Sequence, residues 1–184
     1  LFVTAGLGGM SGAQPKAGNI AGVVTICAEV NATAAHKRQS QGWVDEVIEN
    51  VDACIDAAQA WQKKGEAHSI AFLGNVVDLW ERLAERKVKV DLGSDQTSLH
   101  NPWAGGYYPA GLSYEESNVL MAKDPATFRT KVQETLRRHV DAVNTLTEAG
   151  MYFFDYGNAF LLESKRAGAS IGGLNGEEFR YPSY

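Results

Sequence analysis

The chain has 184 residues, which is enough for one well-packed domain and short for two, so we expect a single hydrophobic core. Apolar residues make up 45% of the sequence and charged residues 21%, as in ordinary globular proteins, which argues against disorder. The net charge of −5 without a basic cluster argues against nucleic acid as a partner, and no apolar run approaches the roughly 18 residues of a membrane span.

The first predicted element is a short buried strand over residues 2–4, which leads into a glycine-rich turn and a helix over residues 10–21. This order suits a dinucleotide pyrophosphate, because Gly6 permits a tight turn and Gly8 lets the backbone approach phosphates at a helix start. Ser11 stands at the third position of the GxGxxG spacing, where glycine is usual. Glycine clusters also occur in turns that bind nothing, so both interpretations stay open at this point.

A second buried strand is predicted over residues 23–28, and Glu29 follows it directly. In dinucleotide-binding units an acidic residue about 20 positions after the glycines accepts hydrogen bonds from the adenosine ribose. Its negative charge would also repel a 2′-phosphate, so the pattern favours NAD over NADP. The alternative is a solvated carboxylate at the end of a strand.

Helices and strands continue to alternate along the chain. Helices are predicted over residues 34–42, 43–64, 76–83 and 125–149 and again up to about residue 166, and strands over residues 69–73, 88–92 and 151–154. Residues 93–123 form a long irregular segment, and a connection of this length is more often functional than not. The glycine-rich and aromatic tail, residues 168–184, is expected to lead to another part of a larger protein.

Strands separated by helices predict an α/β fold, a three-layer doubly wound Rossmann-like domain with a mainly parallel sheet of about five or more strands. Ligands bind such sheets beyond the carboxyl ends of the strands. Polar or glycine residues follow each predicted strand at that edge, although each could also be ordinary turn chemistry. After the glycine turn and Glu29, they are residues 74–75, residues 95–98 with His100, and residues 155–158.

The cysteines and histidines give little sign of other chemistry. Cys27 and Cys54 are predicted to be core thiols in a reducing compartment, because neither has CxxC spacing or an adjacent histidine. His36, His68 and His139 lie in polar contexts and are predicted to be solvated. His100 is a candidate site residue, with a simple turn role before Asn101-Pro102 as the alternative. No set of side chains has metal-ligand spacing, so no metal is predicted.

Taken together, the motifs resemble those of one family, urocanate hydratase, or urocanase, over essentially the whole chain. The motifs are TAGLGGMSGAQP at residues 4–15, AEV at 28–30, LGN at 73–75, SDQTSLHNP at 94–102, GYYPAG at 106–111 and FDYGN at 154–158. The combination of GLGGMxGAQP with DQTSxH is far more specific than a lone GxGxxG. It identifies the chain as a member of this family.

The resemblance implies a cytoplasmic, homodimeric hydro-lyase of histidine degradation, which adds water to urocanate to give imidazolonepropionate. Tightly held NAD+ would act as an electrophile instead of an exchangeable hydride carrier. Residues 1–184 would be a single NAD-binding domain excised from a longer urocanase chain. The family's cysteine near the nicotinamide lies outside this chain and matches neither cysteine here, so we expect no catalytic residue in the chain and no activity from it alone.

The resemblance also implies which residues contact NAD. The phosphates would lie along the glycine turn, the adenosine ribose at Glu29, and the rest of the cofactor beside the residues that follow the later strands. The implied cofactor-binding residues are Gly6, Gly8, Gly9, Met10, Ser11, Glu29, Asn75, Val76, Gln96, Thr97, Ser98, His100, Tyr107, Tyr108 and Tyr156. Many members carry an arginine where this chain has Ala34, and Lys37 or Arg38 are the nearby candidates to replace it.

Two other interpretations stay open. The first is the Rossmann domain of an ordinary NAD-dependent dehydrogenase, since one fold serves many functions. The second is a non-catalytic module whose glycine turn only builds structure and binds no dinucleotide.

Overall fold

The computed structural model describes residues 1–9, 11–157, 159–173 and 177–184. One six-stranded sheet forms the centre of the fold, with every pairing between strands parallel. The strands are β1 Phe2–Ala5, β2 Val24–Glu29, β3 Glu46–Ile48, β4 His68–Leu73, β5 Leu92–Asp95 and β6 Tyr152–Asp155, in the order β3-β4-β2-β1-β5-β6. The chain therefore places β2, β3 and β4 on one side of β1 and β5 and β6 on the other, which confirms the predicted doubly wound sheet.

Helices cover both faces of the sheet and complete the predicted three layers. They are α1 Gln14–Ile20, α2 Ala32–Ser40, α3 Val51–Lys64, α4 Val76–Glu85, α5 Tyr114–Lys123, α6 Pro125–Glu148 and α7 Ala159–Arg166. Helices α1 and α2 pack on one face, and α3, α4, α6 and α7 form the other layer. Alternate residues of a strand point to opposite faces, so Ile26 joins the large core under α3 and α4, whereas Cys27 joins a small cluster under α2.

The predicted helix over residues 43–64 is wrong in its first part. Residues 46–48 form strand β3, which pairs with β4, and helix α3 begins only at Val51. Asn50 caps that helix, and its Oδ1 accepts a hydrogen bond from the Ala53 N–H at 2.9 Å. A strand of three residues is too short to show an alternating pattern, so its apolar residues were compatible with a helical stripe.

The strand predicted over residues 88–92 is displaced towards the carboxyl end. Val88 and Val90 are buried outside any strand, and β5 begins at Leu92, which pairs with Phe2 of β1. Gly93 continues β5, and the residue is glycine because a Cβ there would come within 2.9 Å of both Met151 and Trp80. Tertiary packing thus requires a residue type that strands otherwise disfavour, and sequence propensity cannot indicate it.

The segment 93–123 is more regular than expected. It contains most of β5, a short 3-10 turn at Pro102–Ala104 and helix α5. A capping box starts α5: Glu116 N–H donates to Ser113 Oγ, and Ser113 N–H donates to the Glu116 carboxylate. Of this helix only Ser117 is buried, so its apolar stripe was too weak to predict it.

Both cysteines are fully buried and unpaired, which confirms that they are core thiols. Burial raises the pKa of Cys54 to about 12 and also raises that of Cys27, so neither is a reactive thiolate. Among the residues that the structure describes, even the 24-residue helix α6 lacks an apolar stretch long enough to cross a bilayer.

Candidate functional site

A cleft of about 250 Å³ lies at the carboxyl ends of β1, β2, β4 and β5, and it includes the junction of β1 and β5, where the strand order changes direction. This is the place at which open parallel sheets bind ligands. Residues from the glycine turn, from the ends of β2, β4 and β5, and from the segment before α5 line it. Among them are Gly6, Gly8, Ser11, Glu29, Asn31, Asn75, Val76, Gln96, Thr97, Ser98, Gly105, Gly106, Tyr107, Tyr108 and Tyr114.

The glycines of the turn are glycine for different reasons. Gly6 has φ +91°, and a Cβ there would lie 2.6 Å from Ser11 Oγ, so the backbone itself requires glycine. A Cβ on Gly8 or Gly9 would meet no atom of the described residues within 4 Å, and neither residue has a positive φ. Packing therefore does not require glycine at Gly8, which lines the cleft, and the missing side chain leaves space for something to approach the backbone.

Ser11 occupies the third glycine position without disturbing the packing of the domain. Its side chain is buried beside Gly6, and the residue lines the cleft. Close contact between helix and strand is provided instead by Gly18 of α1, where a Cβ would collide with Thr25 Oγ1 of β2. The departure from the usual spacing is thus compensated seven residues later, in the helix that follows Ser11.

Glu29 ends β2 beside the glycine turn, as the sequence predicts. Its Oε2 accepts a hydrogen bond from the Leu7 N–H at 2.7 Å, and its Oε1 accepts one from the Asn31 N–H at 2.9 Å. Each carboxylate oxygen has a second lone pair, so the group can still accept a hydrogen bond from a ligand hydroxyl in the cleft.

A second rim of the cleft is built around Asn75, the N-cap of α4. Its Oδ1 accepts from the Val77 N–H at 3.0 Å, and its Nδ2 donates to the Tyr108 carbonyl at 2.8 Å. The Tyr108 ring lies 5.1 Å from that of Tyr114, whose hydroxyl accepts a long, 3.4 Å hydrogen bond from Asn31 Nδ2. The two tyrosines therefore lie towards the Glu29 end of the cleft.

The third part of the cleft follows β5, where Asp95 organises Thr97. Asp95 is 1% exposed, and its Oδ1 accepts from the Thr97 N–H at 3.0 Å and from the Thr97 hydroxyl at 2.6 Å. Burial raises the pKa of Asp95 to about 7 against the opposing effect of the Thr97 hydroxyl, and the charge of neighbouring Asp155 raises it further. Burial likewise raises the pKa of Asp155 to about 6.

Tyr107 lines the cleft and contacts His139, for which the prediction from the sequence was wrong. His139 was predicted to be solvated, yet it is fully buried, and its Nδ1 lies 2.9 Å from the Tyr107 hydroxyl. Burial lowers the pKa of His139 to about 3, so the ring is neutral. Its position on α6 continues the apolar stripe of Leu136, Val140 and Val143, which is the signal that could have identified it.

Eleven of the predicted cofactor-binding residues line the cleft, three do not, and Met10 lies outside the described residues. His100 is exposed in a turn that the Asn101 N–H closes on the Ser98 carbonyl at 2.9 Å. Tyr156 is 53% exposed, because it follows β6 at the edge of the sheet, two strands from β1. Gly9 is exposed and lies outside the lining.

Sequence reasoning missed several contributors to the cleft, among them Asn31, Tyr114 and Gly106. Asn31 caps α2, accepting from the Thr33 N–H at 3.0 Å, and Tyr114 is the first residue of α5. Gly106 lies so close to Ser98 and Asn101 that a Cβ would collide with their backbones. The capping-box pattern at Ser113 could have revealed α5 and with it Tyr114.

Comparison with known proteins agrees with the geometry of the site. The model of the urocanase Rossmann-like domain family matches residues 1–184. The chain belongs to the urocanase family. It is 54% identical over 188 residues to the probable urocanate hydratase of Caenorhabditis elegans, and 54% and 53% identical over 191 residues to the urocanate hydratases of Mus musculus and Homo sapiens.

These alignments cover all of the chain but only 28% of each urocanase relative. The family match confirms the Rossmann-like fold and the urocanase resemblance. A Rossmann-like domain of this family indicates a nucleotide-binding fold.

Proposed function

We propose that this chain is the NAD-binding domain of a urocanate hydratase. The observation that carries the proposal is the pairing of Gly8, whose missing side chain serves no packing purpose, with Glu29 beside the same turn. A phosphate needs the first feature, since it must approach bare backbone, and a ribose needs the second. The carboxylate of Glu29 also disfavours a 2′-phosphate, which selects NAD over NADP.

The residues of the cleft fit the parts of the dinucleotide in order. The pyrophosphate would lie along Gly6, Gly8 and Ser11, and the adenosine ribose at Glu29. Tyr108 and Tyr114 offer aromatic surface near that end, and Gln96 to Ser98 extend the cleft along β5 for the nicotinamide half. Bound NAD+ would supply a cationic pyridinium as an electron sink, and this chain's residues hold and orient it.

The whole protein is proposed to add water to urocanate and give imidazolonepropionate in the cytoplasm, as a homodimer. Further domains of the same chain would supply the cysteine near the nicotinamide and most of the substrate pocket. The 28% coverage of the relatives supports this division. On this view Gly9, His100 and Tyr156, and Met10 as well, would contact the cofactor together with those other domains.

Loss of urocanate absorbance tests the proposal directly. We expect the intact protein, loaded with NAD+, to consume urocanate without producing reduced nicotinamide, and residues 1–184 alone to consume none. Turnover by the short chain would contradict the division between domains. Growth of reduced-nicotinamide absorbance with an alcohol or hydroxy acid, without urocanate loss, would favour a dehydrogenase instead.

A further inference from the structure

Arg38 of α2 contacts the glycine turn in a way that neither the motifs nor the proposed function explains. Its Nε donates to the Leu7 carbonyl at 3.0 Å, and its Nη2 donates to the Gly8 carbonyl. The guanidinium lies 4.7 Å from the centre of the Trp43 ring, and Nη1 donates to Gln41 Oε1 at 2.9 Å. Four interactions therefore fix one planar group against two consecutive carbonyls of the turn.

The same contact anchors Leu7 from a second side. Its N–H donates to Glu29 Oε2, its carbonyl accepts from Arg38, and its side chain is buried in the small cluster with Cys27 and Val44. The only residue between Gly6 and Gly8 is thus held at its amide, its carbonyl and its side chain. The neighbouring glycines, which have most conformational freedom, are attached to a fixed point.

Because the peptide bonds of the turn are trans, the contacts with Arg38 also fix the direction in which its N–H groups point. The described residues contain no cis peptide bond, and in a trans peptide the N–H points opposite to the carbonyl of the same unit. Because Arg38 binds the Leu7 and Gly8 carbonyls, the N–H groups of Gly8 and Gly9 point away from it. Gly8 lines the cleft and Arg38 does not, so at Gly8 the side of the turn opposite the guanidinium, to which its N–H points, is the side of the cleft.

Gly12 shows that the fold reserves space for this arginine. A Cβ on Gly12 would collide with the Arg38 guanidinium, whereas a Cβ on Gly8 would meet no described atom within 4 Å. Gly12 is therefore glycine because of Arg38. Gly12 and the arginine thus form one packing unit.

We propose that Arg38 is a positioning residue, which presents the Gly8 and Gly9 amides to the pyrophosphate without contacting the dinucleotide. This inference rests on the proposed function. It also means that Arg38, one of the two candidate cations near Ala34, acts on the carbonyls of the turn and does not replace a cofactor-contacting arginine. Arginine is required because the compact ammonium of lysine, although it carries three donors, lacks the planar fork that binds two carbonyls and stacks on Trp43 in one fixed geometry.

Arg38→Lys in the intact protein tests the proposal, with Lys37→Ala as the matched control. Lys37 precedes Arg38 on the same helix and is exposed, so its removal deletes a nearby positive charge without touching the turn. Two quantities are measured: amide hydrogen exchange of a peptide covering residues 6–12 in the cofactor-free protein, and the Kd for NAD+. Thermal unfolding verifies that each variant is folded.

We expect Arg38→Lys to accelerate exchange in that peptide and to weaken NAD+ binding by about tenfold each, with peptides of α4 and α6 unchanged. Lys37→Ala should remain within about twofold of the wild type in both. Unchanged exchange, an unchanged Kd, or an equal loss in the control overturns the proposal that Arg38 positions the turn. A wild type that binds no dinucleotide overturns the proposed function instead, and the exchange experiment then still decides whether Arg38 holds the turn.

Discussion

The two sides of the cleft are built differently. On the side of the glycine turn, backbone groups are bound by Glu29 and Arg38, and the open space lies at Gly8. On the side of β5, buried polar side chains carry the structure, and within the described residues Asp95 Oδ2 and His139 Nε2 have no hydrogen-bond partner. The first side is preformed for a ligand, whereas the second retains unpaired polar groups whose cost depends on pH and on what binds.

Gly8→Val should have the largest effect, and it tests whether the space beside Gly8 is needed for ligand binding and not for packing. We expect about 100-fold weaker NAD+ binding, equivalent to about 2.7 kcal/mol, because the side chain would occupy the phosphate position. The unfolding midpoint in urea should stay close to that of the wild type, since no described atom lies within 4 Å of the new Cβ. Calorimetric titration measures the affinity.

Gly6→Ala is the control for that prediction, because the same kind of change should act on stability. Its φ of +91° and its 2.6 Å approach to Ser11 Oγ strain any side chain, at a cost of about 1–3 kcal/mol of unfolding free energy. A Gly8→Val protein with wild-type affinity, or one as destabilised as Gly6→Ala, would contradict the assignment of the open space to a ligand.

Asp95→Asn should change the pH dependence of stability. The carboxyl has a pKa of about 7 when folded and 3.8 as its ordinary value, so between these the folded state binds more protons than the unfolded state. Stability is therefore lost as pH rises from about 4 to about 7, and the variant should lack this loss, which is on the order of 2–3 kcal/mol between pH 5 and pH 8. Asp155, with a pKa of about 6, leaves a weaker slope of the same sign.

Urea unfolding of both proteins at pH 5 and pH 8 measures this effect. The variant should be more stable than the wild type at pH 8 and similar to it at pH 5. Parallel pH profiles in the two proteins would show that Asp95 is ionised throughout this range and that the β5 side carries no such penalty.

Glu29→Gln should weaken NAD+ binding by about tenfold and reduce the preference over NADP+. The amide offers one acceptor oxygen where the carboxylate has two, and it no longer repels a 2′-phosphate. Glu115→Gln is the matched control, because it removes one negative charge from an exposed position of α5 outside the lining of the cleft. Equal affinities for NAD+ in wild type and Glu29→Gln would refute ribose binding at this residue.

Asn75→Asp should have the smallest effect and tests the link between the two sides. Aspartate can still cap α4 at the Val77 N–H, but it cannot donate to the Tyr108 carbonyl. We expect a loss of about 1 kcal/mol of stability and severalfold weaker NAD+ binding. Asn50→Asp, which caps α3 at the Ala53 N–H, should behave as wild type, and identical behaviour of the two variants would disprove the link.

The same contrast explains what the sequence could predict. The glycine turn, Glu29 and Asn75 depend on local patterns, namely strand, glycine, helix start and cap, so their place in the cleft was accessible from the sequence. Arg38 was only one of two candidate cations near Ala34, because its contacts with Leu7 and Gly8 arise from the packing of α2 against the turn. No spacing rule records which carbonyl a distant side chain will bind.

The β5 side was harder to predict because tertiary structure overrides local preference there. Position 93 of strand β5 is glycine because Met151 and Trp80 leave no space for a side chain. His139 can be buried because the Tyr107 hydroxyl is its hydrogen-bond partner in the core. Helix α5 shows the opposite difficulty, since it is mostly exposed and carries little apolar pattern. A capping box was its clearest local signal.

Titration of the intact, cofactor-free protein with NAD+ and with NADP+ in a calorimeter tests the central claim most directly. The proposed function predicts saturable binding of one NAD+ per chain and markedly weaker binding of NADP+, because Glu29 would accept from the ribose and repel a 2′-phosphate. No heat of binding from a folded protein, or equal affinity for both dinucleotides, would contradict the assignment of this cleft to NAD.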